Sequence, residues 1–339
     1  MGMDPKEIEA KAKEFRDAYA RVKSEIQKVM VGHEHIIDGV LTVVFTGGHC
    51  LLEGVPGLGK TLLVRTLSEV LDLDFSRVQF TPDLMPADIL GTDIVVEDEK
   101  GHRDFQFRKG PIFAQIVLAD EINRATPKTQ SALLEAMQEG FVTAGGTRHA
   151  LDQPFFVLAT QNPIEQEGTY PLPEAQLDRF LLKLIVGYSG RADLSLILDR
   201  TTGVKPEAPK KVMGGAEILK WRELVREVVI SQHVKDYAVR LILATHPEGE
   251  FAPDITNKYL AFGSSPRGAQ ALVLTSKLRA LLNGRYNVSV EDVREMALAV
   301  LRHRVILNFE GEAEGKTSDE VVLQIVEEVP ETEKGGVPA

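Results

Sequence analysis

At 339 residues the chain has room for about two domains. Its 39 basic and 50 acidic residues leave a net charge of −11, which disfavours a general nucleic-acid footprint while leaving room for a local basic patch. A single cysteine, Cys50, excludes an internal disulfide, and no apolar run reaches the ~18 residues of a membrane-spanning helix. The charged opening, Met-Gly-Met-Asp-Pro-Lys-Glu, lacks a leader's apolar core, so a cytoplasmic protein is expected.

Asp4-Pro5-Lys6-Glu7 has the form of a helix start, and Ile8, Phe15, Tyr19, Val22, Ile26 and Val29 recur at helical spacing after it. Val31-Gly32 ends that helix. A second runs from about 35 to 46 and stops at Gly47-Gly48. The apolar Cys50-Leu51-Leu52 then meets Gly54-Val55-Pro56-Gly57-Leu58-Gly59-Lys60-Thr61, followed by a helical pattern from Leu62. This is the phosphate-cradling loop: glycines let backbone N–H groups converge on a phosphate, and the new helix turns its positive end toward it. In that motif Lys60 reaches the β- and γ-phosphates of ATP and Thr61 ligates Mg²⁺. Cys50 lies in the strand before the loop, where packing is its expected role.

Residues 75–80 alternate as a strand. A short helix at 86–91, a hairpin flanking Asp98-Glu99-Lys100-Gly101 and a closing Gly110-Pro111 follow. Ile116-Val117-Leu118-Ala119-Asp120-Glu121 is continuously apolar and ends in two acids, as a strand buried on both faces of a parallel sheet would be. Open α/β sheets bind ligands at that edge, so Asp120 is expected to orient Mg²⁺ and Glu121 to polarise the attacking water. A helix from Pro127 to Gly140, a second hairpin over 141–151 and a buried strand from Pro154 come next. That strand ends in Gln161-Asn162-Pro163. Asn162 there either holds the hydrolytic water or is a turn-forming Asn before proline.

A short helix at 173–180 and a last strand at 181–186 precede Gly187 and Gly190. Strand signals then fade, and helices are expected at about 191–202, 215–230, 232–246, 266–282, 289–303 and 318–329. The expected division is an α/β core over 1–189, a helical domain over 190–329 and a flexible tail over 330–339. On residue chemistry alone Arg179 reads as a surface partner of Asp178, and Arg267 as a cation near a helix start, where the dipole gives it no benefit. His303, between Arg302 and Arg304, reads as a packed or capping histidine.

The ordered set of the phosphate loop, Asp120-Glu121, Asn162, Arg179 and Ser265-Pro266-Arg267 resembles the AAA+ ATPases. Asp120-Glu121-Ile122-Asn123-Arg124-Ala125, Ala159-Thr160-Gln161-Asn162-Pro163, the run from Leu172 to Phe180 and Ser264-Ser265-Pro266-Arg267 are similar to the MoxR family within that class. The resemblance covers about 31 to 309, and it implies a P-loop α/β fold with a helical lid. The segments at 86–110 and 141–151 would be its helix-2 and pre-sensor-1 inserts. It implies a homo-oligomeric ring of six subunits with ATP·Mg²⁺ at each interface. Asn162 would be sensor 1, Arg179 the finger reaching a neighbour's γ-phosphate, and Arg267 sensor 2. Val31-Gly32 would back the adenine, and the run Val55 to Leu62 would contact the phosphates. Arg124 is a weaker candidate for action across the interface. The implied activity is ATP hydrolysis driving chaperone-like remodelling of a partner, often one with a von Willebrand factor A domain.

Two other readings stay open. A DNA-engaging motor is one, although the turn at Glu97-Asp98-Glu99-Lys100 is acidic and Arg148 with His149 is a thin basic signal. A nucleotide-dependent switch with little turnover is the other.

Overall fold

A computed structural model describes residues 5–97, 103–144, 146–163, 168–203 and 207–332. The expected tip of the first hairpin and the N-cap Asp4 lie outside these residues. Helix α1 spans Pro5–Val29 and α2 spans Glu34–Thr46, closed by Gly47 in the left-handed region. Strand β1 (Cys50–Glu53) leads through the glycine loop into α3 (Lys60–Val70) and β2 (Phe75–Gln79). Helix α4 (Pro86–Leu90) opens the first insert, a hairpin of β3 (Gly91–Glu97) and β4 (Arg103–Lys109). Strand β5 (Ile116–Asp120), α5 (Pro127–Glu139), the hairpin β6 (Phe141–Ala144) and β7 (Thr147–Ala150), and β8 (Phe156–Gln161) follow. Then come α6 (Glu174–Leu177), β9 (Leu182–Ile185) and α7 (Arg191–Thr202).

Five strands form one sheet in the order β2-β5-β8-β1-β9. The pairs β2–β5, β5–β8 and β1–β8 are parallel. Ile116 to Ala119 and Phe156 to Ala159 are fully buried, so the continuous apolar runs are the inner strands, covered on both faces. Cys50 is buried in β1, and burial pushes its thiol pKa far above the usual range, which leaves it a packing residue. The two insert hairpins pack through rings: His149 stacks on Phe107 at 4.1 Å between centroids, with Phe113 edge-on to both.

The rest is helical: α8 (Gly215–Glu227), α9 (Gln232–Leu243), α10 (Asp254–Tyr259), α11 (Pro266–Leu282), α12 (Val290–Leu301), α13 (Phe309–Ala313) and α14 (Ser318–Glu328). Ser289 with Asp292 and Thr317 with Glu320 form capping boxes that satisfy the free N–H groups of α12 and α14. A two-stranded antiparallel sheet, β10 (Leu260–Phe262) with β11 (Ile306–Leu307), was not expected, because segments of two and three residues carry no alternation. Trp221, Tyr237, Leu272 and Leu301 are among the buried side chains of this region, and Phe15 packs on Trp221 at 5.5 Å.

Contacts divide the chain into an α/β unit (Ala18–Arg179 and Leu184–Leu219) and a helical unit (Met1–Asp17, Phe180–Lys183 and Lys220–Ala339). This division differs from a boundary at 189/190, which marks only where strands stop. Helix α7 stays with the α/β unit because the Arg200 guanidinium donates to the carbonyls of Gln27 and Lys28 at 2.9 and 2.8 Å. Val212, ahead of α8, stays with it too, its N–H donating to Val70 O at 2.8 Å. At the other end, Arg240 donates to the carbonyls of Pro330 and Glu331, so the chain is still held where a free tail was expected to begin.

Candidate nucleotide site

The glycine loop leaves β1 at the edge where the strands end. Gly54 N–H donates to Gln161 O at 3.1 Å, tying the loop's first residue to β8. Gly57 and Gly59 take φ of +86° and +79°, a region that L side chains rarely enter. A Cβ on Gly57 would meet no atom of the described residues within 4 Å, so among them the loop is open on that side. Lys60 opens α3, and its Nζ donates to Gly54 O inside the loop. Burial lowers the Lys60 pKa, while the carboxylates of Asp120, Glu121 and Glu53 act against that shift. Thr61 is half-buried. Leu62 is exposed while Leu63, Val64 and Leu67 enter the core. An open loop with a helix N-terminus and a lysine is a built anion cradle.

The acids stand beside it on the central strands. Thr160, on β8 and buried, donates from its hydroxyl to Asp120 Oδ1 at 2.6 Å and accepts the Glu121 N–H at 2.8 Å. Glu121 is a non-glycine residue at φ 56°, a costly conformation that turns the chain sharply at the strand's end. The other Asp120 oxygen accepts from Arg77 Nη2 at 2.7 Å. Glu121 Oε2 accepts from Gln79 Nε2 and Arg124 Nη1, both at 2.7 Å. Asn162 follows β8 directly and is buried. One strand edge thus gathers Lys60, Thr61, Asp120, Glu121 and Asn162.

Thr160, Arg77 and Gln79 were missed in the sequence. Thr160 breaks the apolar run of β8 with a hydroxyl, and Arg77 and Gln79 recur at spacing two on the sheet's edge strand. Both are readable signals once the strands are assigned.

Val31 is buried, and Gly32 has φ +68°. Their neighbour Met30 places Cε 3.5 Å from where a Cβ on Gly59 would stand, so this turn lies against the loop. Arg179 is the last residue of its stretch of the α/β unit, and its Nε is buried without a hydrogen-bond partner among the described residues. Arg267 lies on the first turn of α11, exposed, in the helical unit.

Residues 49–182 match the model of the ATPase family associated with various cellular activities (AAA), and residues 253–325 match that of the AAA lid domain. Chaperone MoxR1 of Mycobacterium tuberculosis is 40% identical over 314 residues, 93% of this chain and 82% of that protein. The chain belongs to the MoxR family of AAA+ ATPases. The uncharacterized protein YeaC of Bacillus subtilis is 42% identical over 90% of this chain and 92% of its own. A crystal structure described as a putative ATPase from Cytophaga hutchinsonii superposes with a TM-score of 0.89 at 43% identity, covering 97% of this chain and 99% of that one. As a MoxR-family member the protein binds nucleotide and hydrolyses ATP. No helix among the described residues is long and apolar enough to cross a membrane.

Proposed function

We propose that this MoxR-family ATPase works as a homo-oligomeric ring, six subunits being the family expectation, that couples ATP hydrolysis to chaperone-like remodelling of a partner protein. The observation that carries the hydrolytic part is the Thr160 hydroxyl, which fixes Asp120 and Glu121 together beside the phosphate loop. Mg²⁺, when bound with ATP, supplies Lewis-acid polarisation of phosphate oxygens. Thr61 and Asp120 are the residues that would hold it; Arg77 supplies the positive charge at Asp120 here. The loop from Val55 to Leu62 binds the phosphates through backbone N–H groups, and Lys60 adds a cation. Val31-Gly32 backs the base. Glu121 accepts the proton of the attacking water, and Asn162 orients that water. Arg267 contributes a cation to the same subunit's phosphates.

Arg179 belongs to the site of the adjacent subunit. The support for this role is the family likeness of the run from Leu172 to Phe180. The remodelled partner is a protein, with von Willebrand factor A domain proteins the class the family resemblance favours. Against a DNA-engaging motor, Arg148 lies over the Phe141 ring at 3.9 Å and His149 stacks on Phe107, so these two basic side chains are engaged within the fold.

The test is Glu121→Gln assayed by phosphate release and by binding of a fluorescent ATP analogue. Binding at the wild-type level with hydrolysis lost is the expected result. Hydrolysis at the wild-type rate removes Glu121 from the chemistry.

A further inference from the structure

The chain passes from the α/β unit to the helical unit between Arg179 and Phe180. Phe180 to Lys183 group with the helical unit, and two residues just after α12 bond to the first two carbonyls of that segment. Arg304 Nη2 donates to Phe180 O at 2.6 Å, and Nη1 donates to Leu181 O at 3.1 Å and to Val300 O. His303 Nε2 donates to the same Phe180 carbonyl at 3.0 Å. Both side chains are buried, as are Phe180 and Leu182. Burial and the neighbouring cations hold the His303 pKa well below the usual histidine value, so the ring is neutral and its Nε2 carries the proton in this bond.

The Arg304 stem has a second contact. A Cβ on Gly268 would overlap Ser264 Oγ and stand 3.1 Å from Arg304 Cδ, so the first turn of α11 rests on Arg304. Gly268 follows Arg267 directly. The one buried Arg304 side chain therefore lies beside the residue after Arg267 through its stem and bonds the two residues after Arg179 through its guanidinium. An apolar side chain would fill this volume without desolvating a charge, so packing alone does not account for an arginine here.

We propose that Arg304, with His303, is a positioning residue for Arg179, joining the Arg267 turn to the root of the finger so that the state of one subunit's lid sets the finger offered to its neighbour. The inference rests on the reading of Arg179 as acting in trans. A shift of the Arg267 turn is passed through the Arg304 stem and guanidinium to the Phe180 and Leu181 carbonyls, the residues that follow Arg179. Misplacing a catalytic group by about 1 Å can cost on the order of 10²-fold in rate.

The experiment mixes full-length subunits. Arg304→Gln subunits keep an intact hydrolytic site but carry a misplaced finger. Glu121→Gln subunits lack turnover but carry a sound one. Phosphate release is measured for each alone and for the mixture, with an Arg179→Ala plus Glu121→Gln mixture alongside. Circular dichroism and binding of a fluorescent ATP analogue check folding. Arg304→Lys is the second variant, as it keeps the charge and stem but presents one ammonium to three carbonyls. The expected result is a loss on the order of 10²-fold for folded Arg304 variants alone, analogue binding unchanged, and activity restored on mixing, as for Arg179→Ala. Two results overturn the proposal and leave the finger intact: folded Arg304 variants running at the wild-type rate, or Arg179→Ala restored by mixing while the Arg304 variants are not. If neither mixture recovers, the reading of Arg179 in trans fails, and this inference with it.

Discussion

The acid edge of the sheet and the Arg179–Phe180 joint are built in opposite ways. At the edge the reactive groups hold one another. Thr160 bridges Asp120 to the backbone of Glu121, Arg77 closes on Asp120, and Gln79 with Arg124 closes on Glu121. At the joint the Arg179 Nε has no hydrogen-bond partner among the described residues, and the hold falls on the residues that follow: His303 and Arg304 grip the carbonyls of Phe180 and Leu181. On the function proposed above, the acids that act on their own subunit's phosphates are prearranged by their neighbours, whereas Arg179 is held by its root, through the residues that follow it.

The substitution with the largest expected effect strikes the joint. Arg179→Ala should lower kcat on the order of 10³–10⁵-fold, the range for arginine fingers, with binding of a fluorescent ATP analogue retained. Lost analogue binding would instead make Arg179 a residue of its own subunit's site and erase the contrast. Next comes the edge: Glu121→Gln should cost on the order of 10²–10⁴-fold in phosphate release, the range for a general base. Thr160→Val is the mildest and tests whether the edge is prearranged. It keeps the shape but leaves the Glu121 N–H without its acceptor, so stability in a denaturant titration should fall by about 1–3 kcal/mol. An unchanged midpoint would mean that the hydroxyl contributes nothing to holding the acids.

The same contrast separates what was legible in the sequence. The edge was readable because its chemistry needs fixed residue types at fixed spacing: glycines and Lys60-Thr61 in the loop, two acids after an apolar run, and a polar residue after the next. The strands Ile116–Asp120 and Phe156–Gln161 and the long amphipathic helices followed from periodicity. Thr160 and the β2 pair Arg77 and Gln79 escaped because their role depends on which strands are neighbours, and the order β2-β5-β8-β1-β9 is not written in any one segment. The joint was legible only through family likeness. Read alone, Arg179 is a surface cation beside Asp178, and the hold on the next residue, Phe180, comes from residues more than 120 positions away. The helical unit's short elements, α10, α13 and the β10–β11 pair, are too brief for any period to register.

The central claim is that a lone subunit carries an incomplete site. Its most direct test is phosphate release per subunit measured across protein concentration, from dilute to well above the point of assembly, for the wild-type chain. Specific activity should climb with concentration and level off once assembly is complete, with assembly followed in parallel by light scattering. A specific activity that stays constant across a range over which light scattering shows the assembly forming would contradict it.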